Sequence, residues 1–314
     1  MDTFLNILKI VIGFILLIKG ADFFVDGASA VAAKLGVPEL VIGLTIVALG
    51  TSAPEAAVSL SAAIKGNNGI SIGNIVGSNI MNIFVILGLT AVIKTLTVKR
   101  ATVRIDIPVM IGATVLMILW GMINGKLTRV TGIIFLAILV AYLIYLVWYS
   151  KHADISDEGE HVKDIKGWLI PIFIVGGVAA IIFGSNIAVE GASGIAKLFG
   201  VSDRVIGLTI VAFGTSLPEL MTSLTAARKG CVDIAIGNIV GSNLFNILFI
   251  LGMTSTIIDL PYISKGTNFT VDGLVALGAA VLLFLLVAPK KELGRKGGLL
   301  MLLGYTGYFI YLLV

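Results

Sequence analysis

Charge is what this 314-residue chain most conspicuously lacks. Only 13% of its residues are Asp, Glu, Lys or Arg, about half the ~25% usual in soluble domains. With 58% hydrophobic residues and a mean hydropathy of +1.07, too little polar surface remains to solvate even one soluble domain. Cysteine is almost absent too. Cys231 stands alone, which excludes an internal disulfide and a Cys-rich metal site. The two histidines, His152 and His161, fall in the one hydrophilic stretch and read as parts of a solvated linker. No G-x-x-x-x-G-K-[ST] occurs, and no polar segment is long enough for a nucleotide-binding domain, so ATP-driven pumping by this chain alone is not expected. The net charge of +4 does not point to nucleic acid, because the basic residues gather at the ends of apolar runs.

Apolar sequence and glycine are abundant instead. Thirty-seven glycines suit membrane helices that must pack closely. A span needs about 20 apolar residues, and ten such stretches are present: 4–32, 38–63, 70–92, 105–123, 130–149, 168–196, 205–227, 234–257, 271–288 and 298–314. The first and sixth are long enough to imply strong tilt. The expected fold class is an all-α polytopic membrane protein with ten transmembrane helices. Asp2 stands where a signal peptide would be basic, and the first apolar run has a counterpart at 168–196, so the first span is expected to stay.

The organisation follows from internal self-similarity. Residues 20–89 align without a gap on 184–253 at a constant offset of 164, and 41 of the 70 positions are identical. VIGLTIVALGTSAPE is answered by VIGLTIVAFGTSLPE, and GNIVGSNIMN by GNIVGSNLFN. Five spans per half is an odd number, so the second half enters the membrane from the opposite side. The expected domains are therefore two inverted five-helix repeats, 1–149 and 168–314, as in many secondary transporters. Between them lies an acidic linker, 150–167, whose SKHADISDEGEHVKDIK lacks the ligand spacing of an EF-hand. With the N-terminus outside, cytoplasmic loops hold fourteen Lys and Arg and outside loops six. This bias predicts both termini outside the cell membrane and the linker in the cytoplasm.

Two carboxylates lie deep in apolar spans, Glu55 and Glu219, with nothing basic at matching depth in either span. Each costs roughly 2.5–3.5 kcal/mol at a helix centre on insertion scales. Mobile cations are the evident compensation. Each Glu stands in G-T-S-x-P-E. Pro54 and Pro218 lack an N–H and clash one turn back, near Gly50 and Gly214. A helix break there is expected to free carbonyls near Ala48, Thr51, Ala212 and Thr215. Such carbonyls are tolerated at mid-membrane depth only inside protein or along a hydrated cavity. Together with hydroxyls and carboxylates they are hard oxygen ligands, suited to Na⁺ and Ca²⁺.

A second polar element lies in spans three and eight. Asn74, Ser78 and Asn82 share one helix face, as do Asn238, Ser242 and Asn246. Beside them Gly73 and Gly77, like Gly237 and Gly241, allow a close helix approach. Ser78, Asn82, Ser242 and Asn246 are the expected ligands, while Asn74 and Asn238 brace backbone. Asp22 and Asp26, matched by Asn186 and Glu190, lie in the long spans one and six, nearer a membrane face or along an access path.

On these paired motifs, GTSAPE with GNIVGSNIMN and GTSLPEL with GNIVGSNLFN, the chain resembles the calcium/cation antiporter superfamily, and most closely its prokaryotic sodium/calcium exchangers. The resemblance spans nearly the whole chain. It implies ion sites at the centre, between spans two, three, seven and eight. Glu55 and Glu219 with the Thr51 and Thr215 carbonyls would hold Ca²⁺. Sodium would use the Ala48 and Ala212 carbonyls with Ser52, Ser216, Ser78 and Ser242, sharing both Glu. It further implies that spans one and six slide across this core. One position departs from part of the family, where Asp often replaces Asn246; here 82 and 246 are both Asn, leaving fewer acidic groups at the centre.

The expected activity is exchange of Na⁺ for Ca²⁺, with those ions as substrates and the lipid bilayer as the partner. No cofactor and no obligatory protein partner are expected. Three alternatives stand beside it. A proton/calcium or K⁺-dependent exchanger would use the same scaffold. A cation channel is disfavoured by the inverted halves. An intramembrane enzyme finds no buried Ser–His, His–Glu or paired Asp constellation.

Overall fold

The computed structural model describes residues 2–66, 68–152, 165–200, 212–264 and 267–313. Helix α1 covers Asp2–Leu35. Helix α2 runs Glu39–Thr51, breaks, and resumes over Ala53–Ile64 with a 48° bend. Then follow α3 (Gly69–Ile93), α4 (Thr102–Asn124), α5 (Arg129–His152) and α6 (Gly167–Leu198). Of α7, two pieces are described, Ala212–Thr215 and Leu217–Lys229. Helices α8 (Val232–Ile257), α9 (Thr270–Val287) and α10 (Arg295–Leu313) complete the order. Seven of these helices are long and apolar enough to cross a membrane, and the bent α2 makes an eighth. The chain is an all-α polytopic membrane protein. The expected span 205–227 falls partly on residues outside the described set, as do His161 and most of the 150–167 linker.

Burial sorts the helices into a centre and a periphery. The apolar window of α8 is 94% buried and that of α3 78%, against 22% for α1 and 28% for α6. Along α1, Phe4, Ile7, Val11, Ile15 and Ile18 stand exposed, as lipid-facing side chains do.

The two long outer helices pack antiparallel on glycine. A Cβ added at Gly13 would lie 2.7 Å from the Gly184 carbonyl oxygen, and one at Gly184 would lie 2.8 Å from that of Gly13. Gly20 and Gly177 oppose each other in the same way, at 2.9 Å in both directions. Since Gly13 matches Gly177 and Gly20 matches Gly184 at the 164-residue offset, these contacts are reciprocal. Reciprocity of this kind is the signature of a two-fold axis between equivalent elements. The loops repeat it. Leu96–Thr97 pairs with Glu292–Leu293, and Lys126–Leu127 with Leu260–Pro261, both antiparallel. Thus the α3–α4 loop meets the α9–α10 loop just as the α8–α9 loop meets the α4–α5 loop. These short strand pairs were not expected from sequence.

Candidate ion-binding site

The site is built at the break in α2 and its counterpart in α7. Ser52 leaves helical geometry at φ −82°, ψ 6°, and Ser216 does so at φ −93°, ψ 2°. In each case the proline follows within the first turn of the resumed helix, where its missing N–H costs nothing. The break is displaced slightly from the expectation. The Ala48 carbonyl is not fully freed, because it still accepts the Ser52 N–H at 3.0 Å. Pro cannot supply an N–H to the residue four positions earlier, so the carbonyls released are those of Gly50 and Gly214. The Gly214 carbonyl accepts Ser185 Oγ of α6 at 2.6 Å. Ala212 and Thr215 bound the first described piece of α7.

Both carboxylates are wholly enclosed: Glu55 is 1% exposed and Glu219 0%. The halves interlock around them. Ser52 of the first half donates to Glu219 Oε1 at 3.2 Å, while Thr215 of the second reaches Glu55. Ser78 Oγ donates to Glu55 Oε1 at 3.4 Å. Thr51 Oγ1 donates to Asn238 Oδ1 at 2.9 Å and lies 3.4 Å from Ser242 Oγ.

Asn74 and Asn238 brace the breaks as expected. Asn74 Nδ2 donates to the Glu55 carbonyl at 3.3 Å and to Ser59 Oγ at 3.0 Å. Asn238 repeats this on the Glu219 carbonyl at 3.3 Å and Ser223 Oγ at 2.9 Å. Glu55 and Glu219 are thereby held at fixed depth by equivalent clamps.

A crossed network of asparagines closes the centre, and half of it was missed in the sequence. Asn79 Nδ2 donates to the Asn243 carbonyl and Asn243 Nδ2 to the Asn79 carbonyl, each at 3.2 Å. Asn82 Nδ2 then donates to Asn243 Oδ1 at 3.0 Å, and Asn246 Nδ2 to Asn79 Oδ1 at 2.9 Å. Asn82 and Asn246 each open a π-helical turn, Asn82–Leu87 and Asn246–Leu251, a distortion frequent at functional sites. Sequence spacing singled out the 74/78/82 face. Asn79 and Asn243 lie off it, and only their exact repetition in the two motifs marks them.

The amide and hydroxyl donors go largely into this scaffolding, and buried oxygens are left over. Glu55 Oε2, Glu219 Oε2, Asn82 Oδ1, Asn246 Oδ1 and Ser216 Oγ are buried without a hydrogen-bond partner. Leaving one buried polar group unpaired costs about 1–3 kcal/mol, and more for a charged one. Among the described residues no ion pair involves either Glu. Buried oxygens of this kind, carboxylate, amide and hydroxyl, are the hard ligands that Na⁺ and Ca²⁺ prefer. Asp22 and Asp26, by contrast, belong to an ion pair: Lys229 Nζ of α7 lies 2.7 Å from Asp26 Oδ1 and 3.4 Å from Asp22 Oδ1.

A cavity borders this centre at Asn74 and Ser78. It measures about 380 Å³ and is lined by Gly73, Asn74, Gly77 and Ser78 of α3 on one side, with Phe213 and Tyr305, Tyr308 and Phe309 of α10 opposite. The matching face of α8 is shut. Cβ atoms at Gly237 and Gly241 would lie 2.9 Å and 2.8 Å from the carbonyls of Leu40 and Leu44 in α2.

Fold and site together define a membrane transporter of cations rather than a catalyst. The sequence profile described as sodium/calcium exchanger protein matches residues 5–148 and 169–314. The chain belongs to the sodium/calcium exchanger family of the calcium/cation antiporters. It is 39% identical over 308 residues to the putative antiporter CaxA of Alkalimonas amylolytica, covering 95% of this chain and 96% of that one. It is 33% identical over 351 residues to the sodium/calcium exchanger MaX1 of Methanosarcina acetivorans, covering 98% of each. Among solved structures, the sodium-calcium exchanger NCX_Mj soaked with zero Na⁺ and Ca²⁺ superposes with a TM-score of 0.84 at 33% identity, over 99% of both chains.

Proposed function

We propose that this chain exchanges Na⁺ for Ca²⁺ across the cell membrane by alternating access, at one central site between α2, α3, α7 and α8. Ten spans form two inverted repeats, 1–149 and 168–314, joined by the 150–167 linker, with both termini outside. Antiparallel, reciprocal packing of α1 on α6 supports the inversion. The observation that carries the functional reading is the set of buried oxygens without donors.

Glu55 and Glu219 supply two negative charges. One Ca²⁺ neutralises them, and so do Na⁺ ions, but both sets cannot share the same oxygens. Ca²⁺ takes the two carboxylates with the Thr51 and Thr215 carbonyls, and needs six to eight oxygens in all. Na⁺ takes Ser52, Ser216, Ser78, Ser242 and the Ala48 and Ala212 carbonyls around the shared Glu, with Asn82 and Asn246 Oδ1 completing the shell. An empty site leaves two like charges in a low dielectric, which disfavours an occluded state. Only a neutralised site moves readily, and exchange is therefore obligatory.

The test is ⁴⁵Ca²⁺ uptake into proteoliposomes loaded with Na⁺, set against Na⁺-free vesicles with an imposed pH gradient. Uptake that needs internal Na⁺ is expected. Uptake driven by the pH gradient alone would keep the site and make the driving ion H⁺. That second reading has one observation behind it, the Asn at both 82 and 246.

A further inference from the structure

We propose that Lys65 and Glu190 form the second of two alternating ion pairs that hold α1 and α6 against the core in the two halves of the transport cycle. It rests on the alternating-access reading above and adds positioning residues that lie outside the ion site.

The first pair is closed in this structure. Lys229, at the end of α7, takes Asp26 Oδ1 at 2.7 Å and the Asp22 carbonyl at 2.9 Å. This ties the outer helix α1 to a core helix. The Asp26 side chain is only 10% exposed there. At the 164-residue offset Asp26 becomes Glu190 of α6, and Lys229 becomes Lys65 at the end of α2. The local backbone is repeated as well: Gly66 (φ +80°) and Gly230 (φ +88°) end the two helices in the left-handed region.

The second pair is open. Glu190 is 66% exposed and contacts Lys9 of α1 at 2.5 Å, a partner within the outer pair itself. Lys65 is exposed, and no ion pair reaches it among the described residues. The Lys9–Glu190 contact links α1 to α6, so that among the described residues Glu190 has no ion pair to a core helix.

The cavity gives an independent reason to connect the open pair with access. Lys65 leads into α3, whose Asn74, Gly77 and Ser78 line the 380 Å³ cavity. Lys229 leads into α8, whose Asn238 and Ser242 are fully buried. The lysine without an ion pair thus leads into the helix that lines the cavity, and the paired lysine into the helix that is buried. In an inverted repeat the two halves exchange conformations, so a contact between residues i and j in one state passes to their counterparts in the other. When α1 and α6 shift, Lys229 releases Asp26, and Lys65 takes Glu190 from Lys9, with Asn186 standing where Asp22 stands now.

Two cysteine pairs in a Cys231→Ala background test this. Asp26→Cys with Lys229→Cys is expected to cross-link at rest with a short bifunctional thiol reagent and to stop ⁴⁵Ca²⁺ exchange until reduced. Lys65→Cys with Glu190→Cys is expected to cross-link only during turnover, with Na⁺ and Ca²⁺ on opposite faces, and to stop exchange likewise. Lys65→Glu should slow exchange about two- to fivefold, as expected for a largely exposed ion pair, without lowering thermal stability. Adding Glu190→Lys should restore the rate. Intact wild-type exchange with no Lys65–Glu190 cross-link during turnover, or a Lys65→Glu rate equal to wild type, overturns the latch alone. Absence of Na⁺-dependent uptake in wild type overturns the antiporter reading beneath it.

Discussion

Replacing Glu219 by Gln separates an ion ligand from a structural carboxylate, because the two roles predict opposite signs. Gln keeps the shape and keeps an oxygen for Ser52, which donates to Glu219 Oε1 at 3.2 Å. It removes one charge from a wholly buried position whose other oxygen has no partner. Without cations, that charge is a liability of up to roughly 2.5–3.5 kcal/mol on insertion scales. The Glu219→Gln protein should therefore unfold at a higher temperature than wild type in cation-free buffer. With Ca²⁺ the order reverses. Losing one partner of a buried, desolvated charge pair costs about 2–5 kcal/mol, or roughly 30- to 5,000-fold in Kd. Wild type at 100 times its Kd gains about 2.7 kcal/mol from the ligand, and the variant at the same Ca²⁺ concentration should gain almost nothing. Thermal unfolding across a Ca²⁺ titration reads both effects in one series. A Glu219→Gln protein that is less stable without Ca²⁺, or binds Ca²⁺ within about threefold of wild type, would refute the reasoning.

Other sites give independent checks. Gly184→Ala places a methyl 2.8 Å from the Gly13 carbonyl and should cost about 1–3 kcal/mol or block exchange. Gly112→Ala, with nothing within 4 Å, should stabilise α4 by up to ~1 kcal/mol in the same unfolding assay. Asn243→Ala removes the acceptor of the Asn82 amide and a donor to the Asn79 backbone carbonyl, leaving a buried amide that costs about 1–3 kcal/mol; its melting temperature should fall and Na⁺ affinity with it. Tyr142→Phe removes the donor 2.9 Å from buried Asp106, whose other oxygen is already unpaired. It should destabilise more than Tyr308→Phe, because the Asp272 partner of Tyr308 is only partly buried. If three Na⁺ exchange for one Ca²⁺, a potential of 100 mV should contribute about 2.3 kcal/mol per cycle, seen as a potassium–valinomycin clamp shifting the direction of net ⁴⁵Ca²⁺ flux.

The parts of the site written within one motif were legible. The helix break at Ser52 and Ser216 follows from proline lacking an N–H, and the bracing by Asn74 and Asn238 follows from their place beside a broken helix. Contacts that depend on how the halves meet were not. The Ala48 carbonyl keeps its Ser52 bond because the helix leaves its geometry at Ser52, two residues after Gly50. Ser185 caps the Gly214 carbonyl from another helix, and its counterpart at position 21 is Ala, so the repeat gave no hint of it. The ion pair of Asp22 and Asp26 with Lys229, about 200 residues on, is invisible in either span alone. Asp106–Tyr142 and Asp272–Tyr308 match only at an offset of 166, beyond the gapless alignment at 164, so the repeat at 164 does not mark them.

The central claim is that the donor-free oxygens are the ion site. It is tested most directly by the anomalous signal of crystals soaked in Sr²⁺ as a surrogate for Ca²⁺. The account predicts a peak shared by Glu55 and Glu219, at carboxylate distances near the ~2.3–2.6 Å of Ca²⁺ sites, which disappears in Glu219→Gln. No peak there at saturating Sr²⁺, or a peak only elsewhere, such as beside Asp106, would contradict it.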